Sequence, residues 1–173
     1  MLRLNTSRLP SIAWALLLAC VSAASGAIKS GQSFPVLETA GLVSLSGGDV
    51  PSTRGKVVLV DFWASWCAPC KASFPAMGKL HRDYAARGLE IVAISIDEKP
   101  ADAAAFWKKM AAPFVGLHDR EHKLVQQVEV PTMPSSYLIG RDGKVRLVQE
   151  GFHGEASDRA LRHEIEALLA EKN

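Results

Sequence analysis

Val57-Val58-Leu59-Val60-Asp61-Phe62-Trp63-Ala64-Ser65-Trp66-Cys67-Ala68-Pro69-Cys70-Lys71 decides how this chain folds. Val57 to Trp63 is a near-continuous apolar run of strand length, as in a strand buried on both faces. Asp61 interrupts the run, and an acid inside an apolar strand is costly unless it has work or partners. The Cys pair follows where the strand turns into a helix. A bond between Cys67 and Cys70 closes only a four-residue loop. Loop-closure entropy grows with loop length, so such a bond adds little stability and reads as a switch rather than a staple. The helix start also separates the two sulfurs. Cys67 lies beside unpaired N–H groups and the positive dipole end, which favour its thiolate. Cys70 lies one turn inside, where burial favours the thiol. Pro69 restricts the loop and suits the first helical turn.

Outward from this stretch, a helix is expected from about Cys67. Phe74, Met77, Leu80, His81 and Tyr84 share one face, Pro75 is a kink site, and Gly88 is the stop. Leu89 to Ile96 reads as a second buried strand and residues 101–111 as a helix with Phe106 and Met110 one turn apart. A short strand at Phe114 to Leu117 and a short helix at 119–128 follow. Arg141-Asp142-Gly143, between the runs Ser136–Ile139 and Lys144–Val148, is a hairpin signal. Leu161, Ile165, Leu168 and Leu169 have the spacing of a last amphipathic helix. Residues 28–56 are rich in Gly and Ser and read as loops with short strands. The order βαβα(βα)ββα requires parallel strands with right-handed crossovers and an antiparallel edge, an α/β sandwich.

The 173 residues suit one domain, expected at 28–173, and 48% hydrophobic content argues against disorder. Residues 1–27 read as a targeting segment: Arg3 and Arg8, an apolar run from Ile12 to Val21, then small residues up to Ala27. Cleavage after Ala24 or Ala27 fits. The alternatives are an uncleaved helical anchor and lipidation at Cys20, within Leu17-Leu18-Ala19-Cys20. Without this segment the chain carries 18 basic and 18 acidic residues, a balance that gives no reason to expect nucleic-acid binding. Of three cysteines, Cys67 and Cys70 remain, in a compartment where disulfides persist. Zinc is disfavoured: a Cys pair supplies two of four ligands, and 47 residues separate Cys70 from His118, against about 12–15 in a finger. The five His, at 81, 118, 122, 153 and 163, read as surface or cap residues.

The stretch Val58 to Lys71 resembles the active-site segment of thioredoxin nearly residue for residue. The exported layout is similar to the TlpA-like, or ResA-like, thioredoxins: a lead-in with Phe34-Pro35, a βα insert at about 89–112, and Pro134 before Ser135-Ser136-Tyr137-Leu138-Ile139. The resemblance implies a thioredoxin-like fold, a central mixed β-sheet flanked by helices, with an N-terminal strand or hairpin extension. It implies that Cys67 and Cys70 are the catalytic dithiol and that Asp61 handles the Cys70 proton. It places Trp66, Pro69, Met133 and Pro134 on the substrate-facing surface, with Pro134 preferred over Pro131 as the family's cis-proline. Several members carry Glu three residues after the second Cys; here that residue is Ser73, so if that Glu tunes their redox behaviour, this chain lacks the tuning and leans on Asp61.

The implied activity is disulfide exchange with periplasmic protein clients, such as apocytochrome c haem-site thiols or copper-site proteins. The redox disulfide serves in place of a cofactor, a membrane electron donor re-reduces it, and the protein acts as a monomer. Two rivals stand beside this reading. A peroxide-reducing relative would need Thr three residues before the first Cys, where this chain has Ala64. A copper(I) metallochaperone would use Cys67 and Cys70 as soft ligands, but Met77 and Met133 are isolated rather than clustered with them.

Overall fold

The computed structural model describes residues 26–171. All of the expected targeting segment but Gly26 and Ala27 therefore lies outside the described residues, and with it the expectations for cleavage, anchoring and lipidation at Cys20. Six strands form one sheet: β1 (Val43–Ser44), β2 (Val57–Trp63), β3 (Leu89–Ser95), β4 (Val115–His118), β5 (Ser135–Ile139) and β6 (Val145–Glu150). Four α-helices intervene: α1 (Ala68–Tyr84), α2 (Pro100–Met110), α3 (Lys123–Val128) and α4 (Glu155–Ala170). The sheet order is β1-β4-β3-β2-β5-β6, with β2, β3 and β4 parallel and β1, β5 and β6 antiparallel to their neighbours.

Every residue of β2 is buried, because helices or loops cover both faces of this central strand. The two-residue side-chain period divides it. Val57, Leu59 and Trp63 join a core built with α1, α2 and α4. Val58, Val60 and Phe62 join a second core built with α3 and with Phe34 and Leu37 of the lead-in. Asp61 shares the period of Val57, Leu59 and Trp63, so its carboxyl is sent to the α1 side. That side holds an aromatic cluster in which Trp63 stacks on Phe106 at 4.6 Å and meets Phe74 edge-on at 5.4 Å. Burying an aromatic or aliphatic side chain of this size contributes about 1.5–3 kcal/mol.

Helix α1 runs through Pro75 as one element and ends in a 3-10 turn at Ala85–Arg87. Gly88 then takes φ 103°, a left-handed conformation that glycine adopts without steric penalty. β3, expected as a buried strand and as the strand of an insert, lies inside the sheet between β2 and β4, and β4, reached through α2, extends the sheet outward from it. The lead-in supplies a strand rather than a hairpin: β1 pairs with β4, and Ser33 makes an isolated bridge to Lys144. The β5–β6 hairpin turns at Gly140 to Gly143, where the Gly143 N–H donates to the Gly140 carbonyl at 2.9 Å. No helix among the described residues is long and apolar enough to cross a membrane.

Candidate active site

The end of β2 delivers the chain through Ala64, Ser65 and Trp66 to Cys67, which is the N-cap of α1. Cys67 keeps extended backbone angles, φ −82° and ψ 107°, and its Sγ accepts from the Cys70 N–H at 3.2 Å. The sulfur thus occupies the place of a capping oxygen, facing first-turn donors that lack intrahelical partners. Pro69 sits in that first turn, where its missing N–H costs nothing. Cys67 and Cys70 form a disulfide. Cys67 is 4% exposed and Cys70 0%, so the edge of the bond accessible from outside belongs to Cys67. Trp66 stands beside it, 69% exposed, an unusual position for so large an apolar ring.

Met133-Pro134 is the one cis peptide bond among the described residues, and Pro131 is not part of it. Ser135 pairs with Phe62, so Pro134 lies one residue past that pair, where β2 exits toward the cysteines. The Pro134 carbonyl accepts from the Gly151 N–H at 2.8 Å, and Met133 is half-buried against both cores.

Asp61 is 1% exposed. Its Oδ1 accepts from Ser136 Oγ at 2.6 Å, while Oδ2 has no partner among the described residues. Burial raises its pKa from 3.8 to about 7, and the Ser136 hydrogen bond offsets only part of that desolvation. A small cavity adjoins it, lined by Asp61, Ser73, Met77, Ser136 and Asp158 among others. Its roughly 10 Å³ of room for a water's centre matches a single water. Ser73, where several TlpA-like relatives have Glu, turns its hydroxyl to the Cys70 carbonyl at 2.9 Å.

The structure therefore brings together the two cysteines, Trp66 and Pro69 on one loop and helix start. It sets Pro134 opposite that loop's origin and Asp61 behind α1. Ser136 escapes the sequence reading. It faces Asp61 across the β2–β5 register, which no local pattern reveals. One expectation is corrected: His118 is buried, not a surface or cap residue, because its Nε2 bonds the Asp97 carbonyl at 2.7 Å. Among the described residues no group of three or more His, Cys, Asp or Glu could hold a metal ion.

The Redoxin family model matches residues 29–163. A thiol-disulfide oxidoreductase ResA of Bacillus subtilis is 31% identical over 103 residues, covering 60% of this chain and 58% of the relative. Another ResA, of Bacillus thuringiensis subsp. konkukian, is 32% identical over 115 residues, 66% of this chain and 65% of the relative. The chain thus spans somewhat under two-thirds of the length of these curated relatives. A crystal structure from Chlorobium tepidum, described as that of a thiol:disulfide interchange protein DsbE, is 36% identical. It superposes with a TM-score of 0.73 over 83% of this chain and 100% of its own. By sequence and by architecture, this chain belongs to the Redoxin family and has a thioredoxin-like fold.

Proposed function

We propose that the protein is an exported thiol–disulfide oxidoreductase that reduces disulfides of periplasmic client proteins through Cys67 and Cys70. The observation that carries this reading is the unequal setting of the two sulfurs: one caps a helix and keeps a 4% exposed edge, the other is sealed inside the first turn. The similarity to ResA and DsbE proteins supports it.

In the reaction, the Cys67 thiolate attacks one sulfur of a client disulfide. The client S–S bond breaks, a mixed disulfide forms, and one client thiolate leaves. Asp61 accepts the Cys70 proton, directly or through water. A carboxyl titrating near 7 is matched to neutral pH, since it is partly ionised there and still basic enough to take a proton. The Cys70 thiolate then attacks Cys67, forms the internal disulfide and releases the second client thiol. Two electrons pass to the client, and the Cys67–Cys70 disulfide is the product state. A membrane electron donor restores the dithiol.

Trp66, Pro69, Met133 and Pro134 form the client-facing surface, and an extended client segment lies along Pro134. Apocytochrome c haem-site thiols and copper-site proteins are the client classes that the resemblance to TlpA-like thioredoxins implies. Ser73 leaves proton transfer to Asp61, with no acid one turn after Cys70.

Insulin reduction beside a copper(I) titration tests the reading. Catalytic turnover that vanishes in Cys67→Ser is expected. Stoichiometric copper binding with no turnover would replace it with metal carriage. N-terminal sequencing of protein from its host should read a start at Ser25 or Ile28; retained residues 1–24 would make it an anchored protein.

A further inference from the structure

Asp97 lies two residues beyond β3 and is 2% exposed, yet nothing in the sequence pattern marks it for the site. Its carboxylate is the hub of a buried polar knot. Both oxygens accept from the Ser65 backbone N–H, each at 3.1 Å. Oδ1 also accepts from Ser65 Oγ at 2.7 Å, and Oδ2 from Ser95 Oγ at 2.8 Å. The Asp97 N–H donates in turn to that Ser95 hydroxyl at 3.1 Å. The backbone behind it is pinned as well. His118 Nε2 lies 2.7 Å from the Asp97 carbonyl oxygen, and His122 Nε2 lies 3.0 Å from that of Ile96. Carbonyls only accept, so both rings donate from Nε2.

What this knot holds is the loop that presents Cys67. Ser65 stands two residues before Cys67 and next to exposed Trp66. One other backbone bond ties the loop, from the Cys67 N–H to the Ala64 carbonyl at 3.1 Å. A buried carboxylate is expensive, and it persists when each oxygen is met by donors. Here those donors come from the active-site loop and from the end of the neighbouring strand. Asp97 makes no hydrogen bond to either cysteine sulfur among the described residues, so it reaches Cys67 only through Ser65.

We propose that Asp97 is a positioning residue for Cys67. Through Ser65 it fixes the Ala64–Trp66 loop, so that the Cys67 sulfur stays at the N-cap facing first-turn N–H groups while Trp66 stays outside. This rests on the reading of Cys67 as the nucleophile. It adds that the nucleophile's thiolate character depends on a carboxylate borrowed from β3's exit.

The test is alkylation of reduced full-length protein by iodoacetamide across pH, followed at Cys67 by peptide mass. In Asp97→Ala the released loop lets the sulfur leave the helix start. Labelling at pH 7 should slow about tenfold, with the midpoint of the pH profile displaced upward by about one unit. Asp97→Asn keeps an acceptor for the Ser65 N–H and donors for the hydroxyls, and should recover to within about threefold of wild type. If both variants move the midpoint downward, Asp97 acts as a charge opposing the thiolate, and the proposal is overturned. An unchanged profile in an Asp97→Ala protein of lowered melting temperature overturns it too, by leaving only a structural role. Should Asp97→Ala not fold, Ser65→Ala removes the 2.7 Å bond alone and should slow labelling about threefold; no slowing there sinks the idea. Alkylation needs no client. A wild type inert toward insulin would therefore defeat the proposed function while leaving this profile readable.

Discussion

In the proposed reaction Asp61 and the two cysteines carry the chemistry, and each is legible in the sequence as a residue type at a telling position. An acid in an apolar strand asks for a role, and its burial at 1% exposure with one orphan oxygen gives that demand a physical form. Asp61→Asn preserves shape, so the fold should survive while release of the mixed disulfide slows about 10²–10⁴-fold, the usual worth of a general base. Stopped-flow turnover unchanged near pH 7 would make Asp61 structural. For the cysteines, Cys70→Ser should accumulate clients as stable mixed disulfides, because nothing remains to attack Cys67, and Cys67→Ser should accumulate almost none. Diagonal gels of periplasmic extracts read the difference, and the opposite pattern would exchange the roles. Ser136 and Asp97 are not legible in this way. Serine and aspartate are common near strand ends, and only register and loop path show that one bonds Asp61 and the other grips Ser65.

At the scale of elements, periodicity locates β2, β3, α1 and α4 because each has a face or a whole surface that must be buried. It is weaker for α2. Phe106 and Met110 suggest the inward face, and Phe106 is buried there, but Met110 is only half-buried while its neighbour Trp107 is buried in the aromatic cluster, 6.3 Å from Trp63. That is possible because Gly116 on β4 leaves room: a Cβ there would lie 2.5 Å from the Trp107 ring carbons. A rigid indole cannot yield as a flexible chain end can. Gly116→Ala should therefore cost about 1–3 kcal/mol, read as a lower urea midpoint with unchanged slope. An unshifted midpoint would mean that the ring relocates freely. The α2–β4 fit joins residues from two elements, so neither element's pattern contains it.

For the whole molecule, the buried carboxyl links stability to pH. An unfolded Asp61 titrates near 3.8 and the folded one near 7, so the folded state holds the proton longer. This contribution is complete below about pH 4, falls as pH rises toward 7, and is gone above it. The shift corresponds to at most about 4 kcal/mol. Urea unfolding of the oxidised protein should show Asp61→Asn gaining stability over wild type at pH 8 but not at pH 4; equal gains at both would refute the burial effect. The chain by itself determined the α/β order, the Cys67–Cys70 switch at a strand-to-helix junction, and the acid behind it. Those follow from local hydrophobic period and from spacing along the chain. Only the tertiary structure decided the strand order β1-β4-β3-β2-β5-β6, that His118 is buried, that Ser136 meets Asp61, and that Asp97 grips Ser65 in the loop before Cys67. Each of these depends on residues far apart in sequence meeting across the packed sheet, where desolvation makes every polar group find a partner that no local pattern names.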